Sequence, residues 1–122
     1  MKSKITKFED LRIWQEAHAL VLIIYKLTKS FPKSELFGVV SQIRRAGSSV
    51  PANIVEGFYL NTTKELIKFL FNARGSTGEV IYFLILSRDL KYLSQAKYFE
   101  IRVRYEKLAK SINALINSLR KK

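Results

Sequence analysis

Apolar residues recur along this chain at steps of three and four rather than in strict alternation, and few Gly or Pro interrupt them, so the pattern predicts helices. The first is predicted to start near residues 6–9, where Thr6-x-x-Glu9 can form a capping box. It ends before Phe31-Pro32, because a residue preceding Pro is driven out of the helical region. The second is predicted from about Ser34 to Glu56 or Gly57. Asn61-Thr62-Thr63 makes the next break, with Thr62 and Glu65 repeating the capping pattern, and the third helix runs to Ser87 or Asp89. The fourth begins near Ser94 and reaches Leu119, leaving Arg120-Lys121-Lys122 as a fraying tail. Long helices on short connectors favour antiparallel neighbours. The predicted fold is therefore all-α, a single up-and-down four-helix bundle over residues 1–122.

The fourth helix shows its seam most clearly: Tyr98, Ile101, Tyr105, Leu108, Ile112, Leu115 and Leu119 step by three and four. The first helix carries two stripes. Leu11, Trp14, His18, Val21 and Tyr25 form one, and Ile13, Ala17, Leu20, Ile24 and Leu27 form another, rotated from it by about 100°. One bundle core cannot use both, so the second stripe is expected to pack against another subunit. The third helix is apolar almost all round, from Ile67, Phe69, Leu70 and Phe71 to Val80, Ile81 and the run Phe83 to Leu86, and points the same way. The expected state is a homo-oligomer.

Charge adds a partner. With 22 Lys and Arg against 10 Asp and Glu, the net charge is +12, and 48% hydrophobic residues are enough to oppose disorder. The excess sits toward the ends: +4 over residues 1–33, +1 over 34–87 and +7 over 88–122. In an up-and-down bundle the two termini share one end, so Lys2, Lys4 and Lys7 would join Arg120, Lys121 and Lys122. Arg102, Arg104, Lys107 and Lys110 fall outside the seam of the fourth helix, where they either solvate its outer face or reach phosphates; Arg44 and Arg45 complete the candidate set. Phosphate contacts of this kind predict RNA or DNA binding with weak sequence preference and steep salt dependence. No long apolar stretch follows the basic N-terminus, and no run approaches the roughly 20 residues that span a bilayer, so neither secretion nor a membrane partner is expected. With no Cys, a reducing cytoplasm is the expected compartment.

The candidate chemistry is sparse. Pro51 lies within the second helix and should bend it, with Ser48 and Ser49 available to the freed backbone groups. Asn53 and Glu56 follow, and the third helix offers Arg74, Ser76 and Glu79 among Ala73, Gly75 and Gly78. Two Gly three apart suggest closely approaching backbones or a cramped polar site. One reading is a pocket in which Arg74 pairs with Glu56. The favoured reading is a buried polar network that fixes helix register. Glu56 and Glu79 have no nucleophile or phosphate loop beside them, and one His cannot furnish a di-iron bundle, so no enzyme, metal or cofactor is expected. His18, in an apolar stripe, reads as a satisfied or interface histidine.

Three stretches carry a family resemblance. Phe31-Pro32-Lys33-Ser34-Glu35-Leu36-Phe37-Gly38 with Gln42-Ile43-Arg44-Arg45-Ala46, then Ser49-Val50-Pro51-Ala52-Asn53-Ile54-Val55-Glu56-Gly57, then Ala73-Arg74-Gly75-Ser76 with Glu79, resemble the four-helix-bundle proteins encoded in 23S rRNA intervening sequences. The opening Phe8-Glu9-Asp10-Leu11 with Trp14-Gln15 fits as well, and Lys91 departs from it, standing where a Gly is expected. That family looks related to the accessory variability determinant of bacterial diversity-generating retroelements, a pentameric barrel that binds nucleic acid and associates with a reverse transcriptase. The resemblance thus implies a cyclic, pentameric, basic assembly without established enzymatic activity. An interaction scaffold that recruits a reverse transcriptase or an acidic partner is the alternative.

Overall fold

The computed structural model describes residues 5–121, and among them every regular element is helical. Helices α1 (Arg12–Thr28), α2 (Val39–Tyr59), α3 (Thr63–Asp89) and α4 (Gln95–Arg120) run up and down, with 3-10 turns at Phe8–Asp10 and Lys33–Glu35. Each helix packs on its neighbours in sequence, α4 closes back on α1, and the backbones of α1 and α3 stay apart across the diagonal. The α2–α3 interface is the most extensive and the α1–α4 interface the slightest.

Local signals set two of the four starts. Thr62 Oγ1 accepts the Glu65 N–H at 3.1 Å to cap α3, and Ser94 Oγ accepts the Lys97 N–H at 3.1 Å to cap α4. The other two starts lie later than the sequence pattern places them. At α1 the Thr6 capping box does not form, because Leu11 is extended (φ −77°, ψ 125°) and separates the 3-10 turn from the helix. That extended residue turns the chain so that the Phe8 ring packs edge-on against Trp14, Phe58 and Tyr59, and aromatic burial outweighs a cap here. At α2 the backbone of Gly38 is non-helical (φ −111°, ψ −116°), and Glu35 reaches forward to accept the Val39 N–H at 3.2 Å. The same carboxylate accepts the Tyr92 hydroxyl at 2.7 Å, tying the α1–α2 connection to the α3–α4 connection. Both bonds favour the ionised form and hold the Glu35 pKa below its ordinary value.

Helix α3 ends in a Schellman motif: Tyr92 N–H donates to Ser87 C=O and Lys91 N–H to Arg88 C=O. Lys91 takes the left-handed conformation (φ 69°) that this motif usually gives to Gly, so the turn survives the substitution of Lys for the expected Gly.

The core corrects two expectations. In α1 it is the second stripe, Ile13, Ala17, Leu20 and Ile24, that is buried within the protomer. The stripe from Leu11 to Tyr25 faces outward instead, with Tyr25 and His18 exposed and His18 stacked parallel on Trp14 at 5.0 Å. In α4 the seam passes from Ile112 to Ile116, which is fully buried, and leaves Leu115 and Leu119 half-buried at its edge. A straight helix of 3.6 residues per turn drifts off a seven-residue repeat, and a second consecutive four-residue step restores it. The wide apolar arc of α3 is used largely inside the protomer: Leu70, Ala73, Val80 and Leu84 are buried, and flanking residues such as Phe71 and Phe83 pack half-buried against the same core.

Close approach of α2 and α3 occurs at Gly57, where an added Cβ would lie 3.0 Å from the Phe69 Cβ and 3.2 Å from Leu66 Cδ1. It does not occur at Gly75 and Gly78, where the sequence led us to expect it. Both are exposed, and nothing lies within 4 Å of either added Cβ.

Candidate nucleic-acid interface

Helix α4 positions five of the candidate cations, Arg102, Arg104, Lys107, Lys110 and Arg120, and its register decides which of them are available. Arg104 reaches across to α1 and grips Glu16 bidentately, Nε to Oε2 at 3.0 Å and Nη2 to Oε1 at 2.9 Å. Glu16 raises the Arg104 pKa, so this guanidinium stays charged but committed. Arg102 is likewise engaged, donating to Glu106 one turn on at 3.3 Å and to the Tyr98 hydroxyl one turn back. By contrast Lys107, Lys110, Arg120 and Lys121 are exposed and form no ion pair among the described residues. The Arg120 guanidinium lies 4.9 Å from the centroid of the Phe71 ring, as does that of Arg74.

Arg44 and Arg45 stand elsewhere, near the start of α2, and therefore at the opposite end of the bundle from Arg120. Arg44 is half-buried, donating Nε to Thr28 Oγ1 at 2.9 Å and Nη2 to the Tyr25 carbonyl at 3.3 Å, with its guanidinium 4.5 Å over the Tyr25 ring. Arg45 is exposed and lines an open cleft between α2 and α3 with Gln42, Ala46, Ser49 and Glu79. Lys7 is exposed at the start of the chain, while Lys2, Lys4 and Lys122 lie outside the described residues. The described candidate cations thus fall at one end of the bundle (Arg44 and Arg45), along α4 (Arg102, Arg104, Lys107 and Lys110) and at the opposite end (Lys7, Arg120 and Lys121).

The polar constellation of α2 and α3 is only partly assembled. Asn53 Nδ2 donates to Ser49 C=O at 2.8 Å and to Ser49 Oγ at 2.9 Å, and Ser49 Oγ meets Ser76 Oγ at 2.9 Å. Ser49 is therefore engaged with Asn53 and Ser76. The Arg74–Glu56 pair of the less favoured reading does not form: Arg74 donates to Asn113 Oδ1 of α4, while Glu56 and Glu79 are exposed. Arg74 turns toward α4 because its position on α3 faces the α3–α4 interface, with Phe71 one turn before it as a platform. Among the described residues no group of three or more His, Cys, Asp or Glu is placed to hold a metal ion.

A family model, that of the 23S rRNA-intervening sequence protein, matches residues 9–114. The chain belongs to this family. The match spans all four helices apart from the last residues of α4, so it includes Arg44, Arg45, Arg102, Arg104, Lys107 and Lys110 but not Lys7, Arg120 or Lys121. Among solved structures, a protein of unknown function from the S23 ribosomal protein family of Bacteroides thetaiotaomicron is similar at 24% identity and a TM-score of 0.80, covering 86% of this chain and 95% of that one. It supports the fold alone. No curated protein matches the sequence.

Several residues of the surface carry no distinguishing mark in the sequence. Thr28, Tyr25, Lys29 and Phe37 surround Arg44, and Lys64 and Lys68 add exposed cations near the start of α3. One signal was available: Leu36-Phe37 is an apolar pair placed in a turn, outside every helical stripe. The Glu16–Arg104 pair, 88 residues apart, left no sequence signal.

Proposed function

We propose that this member of the family is a non-enzymatic, cytoplasmic, homo-oligomeric protein that binds RNA or DNA through phosphate contacts. The observation that carries the reading is a net charge of +12 with only four ion pairs among the described residues, so most cations face solvent without a carboxylate. Assembly is supported by apolar side chains left in solvent. Exposed Leu22, Tyr82, Leu90 and Phe99 supply apolar surface for it. A closed ring, a pentamer as the resemblance implies, would use two different faces of each protomer and bring several basic ends together.

Binding of labelled rRNA-derived and unrelated RNA across a salt series tests the reading, together with mass in solution at micromolar concentration. Comparable affinity for both RNAs, with log K falling linearly in log salt, is the expected result. No binding even at low ionic strength would overturn it, and a single-copy mass would overturn the assembly. A scaffold that recruits a reverse transcriptase or an acidic partner is the second reading, favoured by the exposed apolar pair Leu90 and Phe99 at the α3–α4 connection. Retention of a protein partner after nuclease treatment would distinguish it.

A further inference from the structure

We propose that the cleft around Arg44 is a single-strand site, taking two backbone phosphates, one on Arg44 and one on Arg45, and one unpaired base on Phe37. This rests on the nucleic-acid reading above and names the surface and the form of the strand. Two adjoining clefts, of about 400 and 310 Å³, share Leu36, Val40 and Arg44, so one continuous trough runs from the end of α1 past the start of α2. Its cations are Lys29, Lys33, Arg44 and Arg45, and none of them forms an ion pair among the described residues. The carboxylate nearest in sequence, Glu35, is turned away to the Tyr92 hydroxyl and the Val39 N–H.

Arg44 is oriented only by neutral groups: a threonine hydroxyl, a backbone carbonyl and the face of Tyr25. Its charge is therefore positioned but not neutralised, and its remaining N–H donors are available to a phosphate. Phe37 is 91% exposed on the turn before α2 and Tyr25 is 42% exposed, so aromatic faces sit beside the cations. An aromatic ring in water gains from a base only when that base is unstacked, which a single strand offers and a duplex does not. A second copy is the poorer occupant, since every charged residue lining the trough is a cation and the chain itself carries +12.

Fluorescence anisotropy of the intact assembly with dye-labelled single strands of about 12 nucleotides, oligouridine or oligothymidine, and with a duplex of equal length, tests the site. Single strands should bind more tightly than the duplex. Phe37→Ala should weaken single-strand binding about tenfold while leaving the salt slope unchanged. The Arg44→Gln, Arg45→Gln double variant should flatten that slope by about 1.4, roughly 0.7 for each phosphate that is no longer neutralised. Arg45→Gln alone, at an exposed position, should flatten it by about 0.7 and guards against a folding defect in the double variant. If wild-type protein binds but Phe37→Ala and Arg45→Gln bind like it, the site lies elsewhere and this proposal falls. A Phe37→Ala variant that shifts to a lower mass in solution would assign the ring to contact between copies and would also overturn it. If wild-type protein binds neither strand form at low salt, the underlying nucleic-acid reading fails instead.

Discussion

Replacing Tyr105 by Phe should make the protein more stable. Tyr105 is fully buried in α4, and its hydroxyl has no hydrogen-bond partner, lying 3.6 Å from the position a Cβ on Gly47 would occupy. Burial pushes its pKa far up, the signature of an oxygen removed from water without compensation. An unsatisfied buried hydroxyl costs about 1–3 kcal/mol. Deleting it leaves a void of roughly 10 Å³, which at about 24 cal/mol per Å³ offsets only some 0.2 kcal/mol of that gain. The expected net stabilisation is about 1–2 kcal/mol. With an unfolding entropy of about 2.1 cal/mol/K per residue over 122 residues, this raises Tm by about 4–8 °C. Urea unfolding followed by far-ultraviolet circular dichroism at one fixed protein concentration measures it, since any assembly makes the midpoint concentration-dependent. A Tyr105→Phe protein destabilised by more than about 0.5 kcal/mol would refute the reasoning. It would show that the hydroxyl is bonded in solution, for which the Gly47 carbonyl is the nearest reason, because Pro51 has no N–H to give it.

Other outcomes follow from the same geometry. Lys91→Gly should stabilise by about 0.5–1 kcal/mol in thermal melts, because Gly takes the left-handed turn at the end of α3 without a Cβ penalty. Gly57→Ala should destabilise, since its Cβ would press on Phe69 and Leu66, whereas Gly75→Ala, with open space around it, should stabilise by about 1 kcal/mol; paired melts check the opposite signs. The Glu35–Tyr92 bond makes stability depend on pH. Its lowered carboxyl pKa means that the contribution is present above the ordinary value of 4.5 and is lost as pH falls through the folded value. The Tyr92 pKa is raised, so the hydroxyl's contribution is present below its ordinary value of 10.0 and is lost as pH rises through the folded value. Tyr92→Phe should therefore be less stable than wild type at neutral pH, and urea midpoints of the two should converge as the medium is acidified. Parallel midpoints down to about pH 3 would contradict that assignment.

The helical class, the number of long helices and the caps at Thr62 and Ser94 are legible in the chain alone, because periodicity and capping are local properties of a few consecutive residues. So are the placing of the cations along the chain and the motifs that carry the family. What those residues meet is settled by packing. Which stripe of α1 faces inward depends on how that helix is rotated against α2 and α4, and a sequence with two apolar stripes does not record the rotation. Arg74 pairs with Asn113 rather than Glu56, and Arg104 with Glu16, because side chains far apart in sequence meet only once helix register is fixed. For the same reason the basic trough left no mark in the sequence as a unit: Arg44, Lys29 and Phe37 are separated along the chain, and only their assembly in three dimensions places them around one trough.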